Sequence, residues 1–153
     1  MNEQSKIKRY ERVYEQIKEL IQATTNPVSR MATINAILHH KFSYYYWTGF
    51  YELIEGELLV GAYQGPVACL KLKKDTGVCW AGINSGETVV VDNVHDFPGH
   101  IACSSASNSE IVVPVFDKEK RVVAVLDVDS KEYSAFDQAD KVGLEKIVAL
   151  IYG

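Results

Sequence analysis

Apolar residues in the N-terminal part of the chain recur with the period of an α-helix. Between about Ser5 and Ala23 they recur at spacings of three and four, which predicts an amphipathic helix. The polar residues 24–26 interrupt this pattern, and Pro27 suits the first turn of a second helix with Asn26 as its cap. We expect this second helix to end near His40.

From position 44 onward, apolar and β-branched residues form short runs that turn residues separate. The runs predict about six strands, at residues 44–54, 58–63, 67–72, 88–91, 111–116 and 122–128. A short helix is expected at residues 77–85, and a final amphipathic helix at 137–151. Tight turns between the strands favour a mainly antiparallel sheet. The fold class is therefore α+β, with the N-terminal and C-terminal helices packed on one face of the sheet.

Length and charge narrow the range of functions. The chain of 153 residues suits one domain, with helices in residues 1–41 and the sheet, active-site loops and C-terminal helix in 44–151. The net charge of −4 and the absence of a basic stripe argue against a nucleic-acid partner. The apolar runs are too short to span a membrane, and residues 1–12 lack the apolar core of a signal peptide. We therefore expect a cytoplasmic protein, with its thiols kept reduced.

The chain has three cysteines, Cys69, Cys79 and Cys103. Cys103 lies in the long polar segment 92–109, and loops of this kind tend to carry function. One thiolate can attack a substrate and a second thiol can then form a transient disulfide with it. An odd number of cysteines argues against a static disulfide framework. Simple packing is the alternative, and it is strongest for Cys79 within an apolar helix.

Three acidic residues form a second candidate group. Asp127 and Asp129 are two residues apart on one predicted strand, so both side chains should point to the same face. Paired there with Glu110, they would form a carboxylate cluster that can bind an ammonium group and keep one member protonated. A solvated strand face is the alternative interpretation.

Further candidates are weaker when taken from the residues alone. Trp47 and Tyr51 are more typical of a core than of a site, because aromatic residues dominate cores. A zinc site made of His95, His100 and Cys103 would match no standard ligand spacing, so we expect no metal.

A series of motifs makes the sequence recognisable. It comprises Trp47–Tyr51, Gly61–Cys69, Gly77–Cys79, Asp92–His95, Gly99–Cys103, Ser107–Pro114 and Val125–Ser130. Together these motifs resemble the free methionine-(R)-sulfoxide reductases, single-domain enzymes of the GAF fold, over roughly residues 44 to 150. A generic GAF domain lacks the three cysteines, the Ser-Glu-Ile-Val segment and the Asp-x-Asp segment. Two positions depart from the family pattern: Trp80 replaces a small residue, and Ser104 replaces an aspartate.

The resemblance assigns roles to the cysteines. Cys103 matches the nucleophile that attacks the sulfoxide. Cys69 matches the cysteine that resolves the sulfenic acid, which gives a Cys69–Cys103 disulfide. Cys79 matches a third cysteine that is auxiliary or an alternative resolving thiol. Loss of the aspartate at Ser104 should, if anything, favour the thiolate of Cys103.

The resemblance also implies a substrate and partners. Glu110, Asp127 and Asp129 match carboxylates that bind and activate free methionine sulfoxide, while Trp47 and Tyr51 match aromatic residues that line the pocket. Thioredoxin is the implied reductant, no metal or organic cofactor is implied, and a homodimer is expected from the habit of GAF domains.

A different class of function remains open at this point. The chain could be a non-catalytic GAF module that binds a ligand or senses redox state, because one fold hosts many functions. The complete set of motif cysteines and carboxylates favours the enzyme. So does the expectation that the domain stands alone, since a solitary sensor would need a partner to report to.

Overall fold

The computed structural model describes residues 1–100 and 106–153 of the chain. Within these ranges, six strands form one antiparallel sheet in the order β3-β2-β1-β6-β5-β4. The strands are β1 (Trp47–Ile54), β2 (Glu57–Gln64), β3 (Lys71–Leu72), β4 (Val89–Val91), β5 (Ser109–Phe116) and β6 (Val122–Ser130). The six-stranded α+β fold expected from the sequence is confirmed.

The central strands of the sheet come from two hairpins. β1 and β2 are joined through Glu55 and Gly56, whose positive φ values of 52° and 79° are those of a tight hairpin turn. β5 and β6 form the second hairpin, and β6 then pairs with β1. The four long strands, β2, β1, β6 and β5, therefore lie side by side in the middle of the sheet.

Four helices surround this sheet: α1 (Glu3–Leu20), α2 (Pro27–Lys41), α3 (Gly77–Ser85) and α4 (Gln138–Val148), with short 3₁₀ turns at Ile21–Ala23 and Val94–Asp96. Asn26 caps α2, as expected, by accepting a hydrogen bond from the Ser29 N–H. Asp137 caps α4 and forms a capping box with Asp140. None of the helices in the described ranges is long and apolar enough to cross a membrane.

The two faces of the sheet carry different layers. Alternate side chains such as Phe50, Ile111 and Leu126 are fully buried in a core with residues of α1, α2 and α4. This arrangement confirms that the terminal helices share one face. On the opposite face, α3 packs so closely that a Cβ on Gly82 would lie 2.8 Å from Cγ1 of Val112. That face carries the candidate site.

The bounds of β1, β3 and β6 differ from those predicted from the sequence. Tyr44 and Tyr45, expected in the first strand, precede it because their rings pack in an aromatic cluster with Phe42 and Phe136. The strand predicted at residues 67–72 is reduced to Lys71–Leu72. β6 runs two residues further than predicted, which keeps Asp129 within the sheet.

Candidate active site

The register between β5 and β6 brings the three carboxylates together. Glu110 pairs with Asp129, and Asp127 pairs with Val112 two residues further along. Because side chains alternate along a strand, all three carboxylates project from the face that α3 covers. Glu110 and Asp127 are each only 5% exposed, and Asp129 is half-buried. The structure thus forms the cluster that the strand alternation predicts, and it is not a solvated strand face.

Cys79 on α3 lies directly against this cluster. One ligand atom each of Cys79, Glu110 and Asp127 lies within 4.8 Å of the others. The thiol is buried and free of any disulfide. The sequence pattern groups Cys79 with the other cysteines, but its contact with the carboxylates depends on how α3 packs over the sheet, which is a tertiary feature.

Aromatic rings form the wall on the β1 side. Trp47 pairs with Asp129 across β1 and β6, so its indole borders the carboxylates. The indole stacks between Tyr51 and Tyr63, with ring centroids 5.7 and 5.2 Å away. Tyr63 was missed by the sequence analysis, although it lies within one of the recognised motifs. A Cβ on Gly49 would lie 2.5 Å from Cη2 of Trp47, so a glycine is required beneath the indole.

A cavity of about 80 Å³ lies between the carboxylates, the aromatic wall and α3. Its walls include all five predicted substrate-binding residues, Trp47, Tyr51, Glu110, Asp127 and Asp129, together with Cys79. They also include polar residues that the sequence analysis did not single out, namely Lys73, Thr76 and Ser107. Ser107 begins one of the recognised motifs, whereas nothing in the local sequence pattern marks Lys73 or Thr76, because the fold alone brings their loop to the cavity.

Burial and mutual repulsion shift the proton equilibria of the carboxylates. Burial, and then the charges of Asp127 and Asp129, raise the pKa of Glu110 well above its usual range. Burial and the charge of Asp127 act in the same direction on the pKa of Asp129. Burial also raises the pKa of Asp127, but hydrogen bonds with Glu110 and Cys79 oppose that rise. The cluster therefore favours the charge on Asp127 and a proton on Glu110.

The neighbouring thiol and phenol stay protonated for the same reasons. Burial, followed by the charges of Asp127 and Glu110, raises the pKa of Cys79 well above its usual range. Burial and the charge of Asp127 likewise raise the pKa of Tyr51. Because the thiolate is the reactive form of cysteine, these shifts make Cys79 a poor attacking nucleophile.

Of the other two cysteines, Cys69 directly follows Ala68 of the cavity wall, and Cys103 lies outside the described residues. Cys69 is half-buried and disulfide-bonded, and its carbonyl accepts a hydrogen bond from the Tyr51 hydroxyl at 3.4 Å. Cys103, the predicted nucleophile, and Ser104 fall within residues 101–105, outside the described ranges. The other departure from the family pattern, Trp80, is buried, and its Nε1 donates to the Leu72 carbonyl at 3.4 Å.

His95 and His100, which the sequence offers as weak zinc ligands, lie near one another. Their ring centroids are 6.4 Å apart, and Nε2 of His95 is 2.9 Å from Oδ1 of Asn108. Burial, and then the nearby His95, lower the pKa of His100. His100 also borders the cavity, directly before the undescribed segment.

Comparisons with known proteins bear on the fold and the family. A family model described as GAF domain matches residues 35–151. GAF domain-containing protein A of Dictyostelium discoideum is 40% identical over 96% of this chain and 92% of its own length. Free methionine-R-sulfoxide reductase of Escherichia coli (strain K12) is 36% identical over 85% of this chain and 78% of its own length. A crystal structure of free methionine-R-sulfoxide reductase from Neisseria meningitidis, in complex with its substrate, is 38% identical with a TM-score of 0.88, covering 94% of this chain and 86% of that one.

Proposed function

The chain belongs to the free methionine-(R)-sulfoxide reductase family of GAF domains, and we propose that it reduces free L-methionine (R)-sulfoxide to L-methionine. The observation that carries this proposal is the cluster of Glu110, Asp127 and Asp129 beneath the aromatic wall. It combines buried negative charge with an apolar surface, which suit the ammonium group and the methyl group of free methionine sulfoxide.

The carboxylates are suited to the ammonium group of a free amino acid. Within the described residues, no lysine, arginine or histidine forms an ion pair with Glu110, Asp127 or Asp129. A buried carboxylate without a counter-charge is costly, so a bound ammonium group would relieve that cost. A methionine residue inside a protein has no such group. The proposed site therefore selects free methionine sulfoxide.

Glu110 is the proposed proton donor to the sulfoxide oxygen. Because its pKa is raised well above the usual range, Glu110 holds its proton to a higher pH than an ordinary glutamate does and can donate it to the oxygen. Trp47 and Tyr51 are proposed to enclose the methyl group and the sulfoxide oxygen, because both rings border the same cavity.

The proposed chemistry uses two cysteines. The Cys103 thiolate attacks the substrate sulfur, the protonated oxygen is transferred to Cys103 as a sulfenic acid, and methionine is released. The Cys69 thiol then attacks the sulfenic sulfur, which expels water and forms a Cys69–Cys103 disulfide. Two facts support this pairing: Cys69 is disulfide-bonded, and Cys79 is a free thiol. Cys79 is proposed to be auxiliary, since its raised pKa disfavours the thiolate.

The cycle requires a reductant for the disulfide. We propose thioredoxin, whose dithiol gives two electrons and two protons to restore both cysteines while it becomes a disulfide. A reducing compartment, the cytoplasm, would supply it. The single domain over residues 1–153 and the homodimer stay predictions.

A coupled assay tests the reaction. The protein is incubated with free methionine (R)-sulfoxide, thioredoxin, thioredoxin reductase and NADPH, and the loss of NADPH is followed. We expect turnover of the (R) epimer and none of the (S) epimer. N-acetyl-methionine (R)-sulfoxide is the matched control, because it lacks the ammonium group that the carboxylates would bind. Absence of stereoselective turnover with intact thiols would refute the enzyme and leave the non-catalytic GAF module.

Cysteine variants test the assignment of roles. Cys103→Ser should abolish reduction even in a single turnover. Cys69→Ser should release up to one methionine per enzyme and then stall, because no disulfide forms. Cys79→Ser, which is close to isosteric, is the comparison variant and should retain recycling by thioredoxin. Steady turnover by both Cys103→Ser and Cys69→Ser would show that the roles are assigned wrongly.

A further inference from the structure

We propose that Cys79, Glu110 and Asp127 also form a binding site for a thiophilic divalent cation such as Zn²⁺, and that this cation inhibits the enzyme. The site lies at the base of the cavity, where α3 meets the strand pair β5–β6. It is distinct from a resident cofactor site, since the proposed reaction uses no metal.

The geometry of the three side chains is close to that of a metal site. Their ligand atoms all lie within 4.8 Å of one another, whereas ligands at Zn–S and Zn–O distances of ~2.3 and ~2.1 Å in a tetrahedral site are roughly 3.5 Å apart. Rotations of the three side chains would bring these atoms to the distances that one ion requires. The three side chains come from different elements, α3, β5 and β6, so the fold holds them in place.

An unpartnered oxygen points independently to a ligand. Asp127 is only 5% exposed, and its Oδ1 is buried. This oxygen has no hydrogen-bond partner among the described residues. Buried polar atoms without a partner are rare in proteins and need an explanation. Asp127 also borders the cavity. A cation that enters the cavity would therefore find a carboxylate oxygen to which none of the described residues donates a hydrogen bond.

The donor set selects the type of cation. Cys79 and Glu110 would release their protons to solvent when the metal binds. The resulting thiolate and two carboxylates suit Zn²⁺ and chemically similar ions, which accept sulfur and need only about four ligands. Mg²⁺ and Ca²⁺ take six or more oxygen ligands and have little affinity for sulfur. The half-buried Asp129 or a water molecule in the cavity can supply a fourth ligand. We therefore expect strong discrimination between Zn²⁺ and Mg²⁺.

Inhibition follows because the cation and the substrate would use the same carboxylates. An ammonium group bound to Asp127 and a metal ion bound to Asp127 exclude one another by charge and by space. This step rests on the proposed function, whereas binding of the metal itself does not. We expect Zn²⁺ to raise the apparent KM for methionine sulfoxide and to leave kcat unchanged.

The test uses the oxidised protein, in which Cys69 is disulfide-bonded and Cys79 provides the free thiol. Cd²⁺ is the spectroscopic probe, since a Cd–thiolate bond gives an ultraviolet charge-transfer band. We expect one Cd²⁺ per chain, displacement by Zn²⁺ and no displacement by excess Mg²⁺. Cys79→Ser should remove the band, and Cys79→Ser and Glu110→Gln should each weaken Zn²⁺ binding at least about tenfold. The exposed Glu87→Gln is the matched control and should bind as the wild type does.

The outcomes separate the two proposals. An unchanged band in Cys79→Ser, or equal binding of Mg²⁺ and Zn²⁺, would overturn the metal site and leave the reductase assay untouched. Displacement of Cd²⁺ by free methionine would support the shared site. If methionine failed to displace Cd²⁺, the metal site would stand and the proposed inhibition would be wrong, whereas the coupled assay with free and N-acetylated substrate would still decide the reductase and its ammonium site.

Discussion

Two buried acidic clusters differ in whether their charge is balanced. The first, which we name the Lys6 network, comprises Lys6, Tyr10, Tyr44, Asp137 and Asp140. Asp140 is fully buried, and its two oxygens accept hydrogen bonds from the Lys6 ammonium and the Tyr10 hydroxyl, both at 2.7 Å. The Lys6 ammonium also donates to the Ala135 carbonyl at 2.8 Å. Every charge in this network therefore has its partner within the protein.

The second cluster, which we name the carboxylate site, comprises Cys79, Glu110, Asp127 and Asp129. It is similarly buried, but none of the described basic residues forms an ion pair with it. Its negative charge is moderated instead by protons, as the raised pKa values of Glu110 and Asp129 indicate. One oxygen of Asp127 has no partner among the described residues.

The contrast is the one expected between a structural cluster and the functional one that we propose. A protein that buries a carboxylate for stability alone provides a counter-charge, because an unpaired buried charge is destabilising. A cluster that is left unbalanced reduces stability and gains from binding a cation. The Lys6 network joins α1 to the start of α4, whereas the carboxylate site is open to a cavity.

The largest expected effect comes from removing the Lys6 ammonium group from the Lys6 network. Lys6→Met keeps most of the side-chain volume but leaves Asp140 buried without its ammonium partner. We expect a loss of about 3–5 kcal/mol in the free energy of unfolding. Denaturant unfolding measures it, and Lys8→Met, at an exposed position of the same helix, should change the stability by less than about 0.5 kcal/mol. A loss of similar size in both variants would contradict the special role of Lys6.

The second-largest expected effect is a loss of activity when the carboxylate site is changed. Glu110→Gln removes the proposed proton donor, so kcat/KM for methionine (R)-sulfoxide should fall by about 100-fold. The free energy of unfolding should stay the same or rise, because a buried acidic group is removed. The coupled assay and denaturant unfolding measure the two quantities. A variant that kept its activity, or lost it together with its stability, would place Glu110 with the structural residues.

A smaller effect is expected in the pH dependence of the free energy of unfolding, to which Glu110 of the carboxylate site contributes. The pKa of Glu110 in the folded protein lies above its usual value of 4.5, so above pH 4.5 the unfolded chain loses this proton before the folded protein does. Glu110 therefore contributes stability that is complete below pH 4.5 and is lost as the pH rises towards the folded pKa. The expected decline is at most about 1.4 kcal/mol per pH unit for this proton.

Glu110→Gln should remove that part of the decline. We expect its stability relative to the wild type to increase between pH 4.5 and pH 7, as measured by denaturant unfolding at several pH values. Glu132→Gln, at an exposed position, is the control and should follow the wild-type curve. A constant difference between Glu110→Gln and the wild type across this range would show that the pKa of Glu110 is not raised.

The smallest expected effect comes from removing one of several hydrogen-bond donors to Asp140 in the Lys6 network. Tyr44→Phe removes one hydroxyl that donates to Asp140, while Lys6 and Tyr10 still bind this carboxylate. We expect a loss of about 1 kcal/mol in the free energy of unfolding. Tyr133→Phe at an exposed position is the comparison. If Tyr44→Phe cost as much as Lys6→Met, the partners of Asp140 would not be redundant.

Much of the fold could be predicted from local patterns. The cap at Asn26, the helix at 77–85 and the hairpin through Gly56 follow from residue types at fixed spacings. The alternation that sends Asp127 and Asp129 to one face is also a local property of a strand. The start of β1 was predicted too early because the tyrosines before it have strand propensity, and their packing against Phe136 overrides that propensity.

The amino-acid sequence by itself determined the family, the order of elements and the identity of the carboxylates and cysteines. Only the tertiary structure decided which charges are balanced. Lys6 reaches Asp140 across 134 residues, and Cys79 reaches Asp127 only because α3 packs over β5 and β6. Periodicity reports the face on which a side chain lies, whereas its partners depend on strand register and helix packing between distant segments. The difference between a stabilising acid and a reactive one arises at that level.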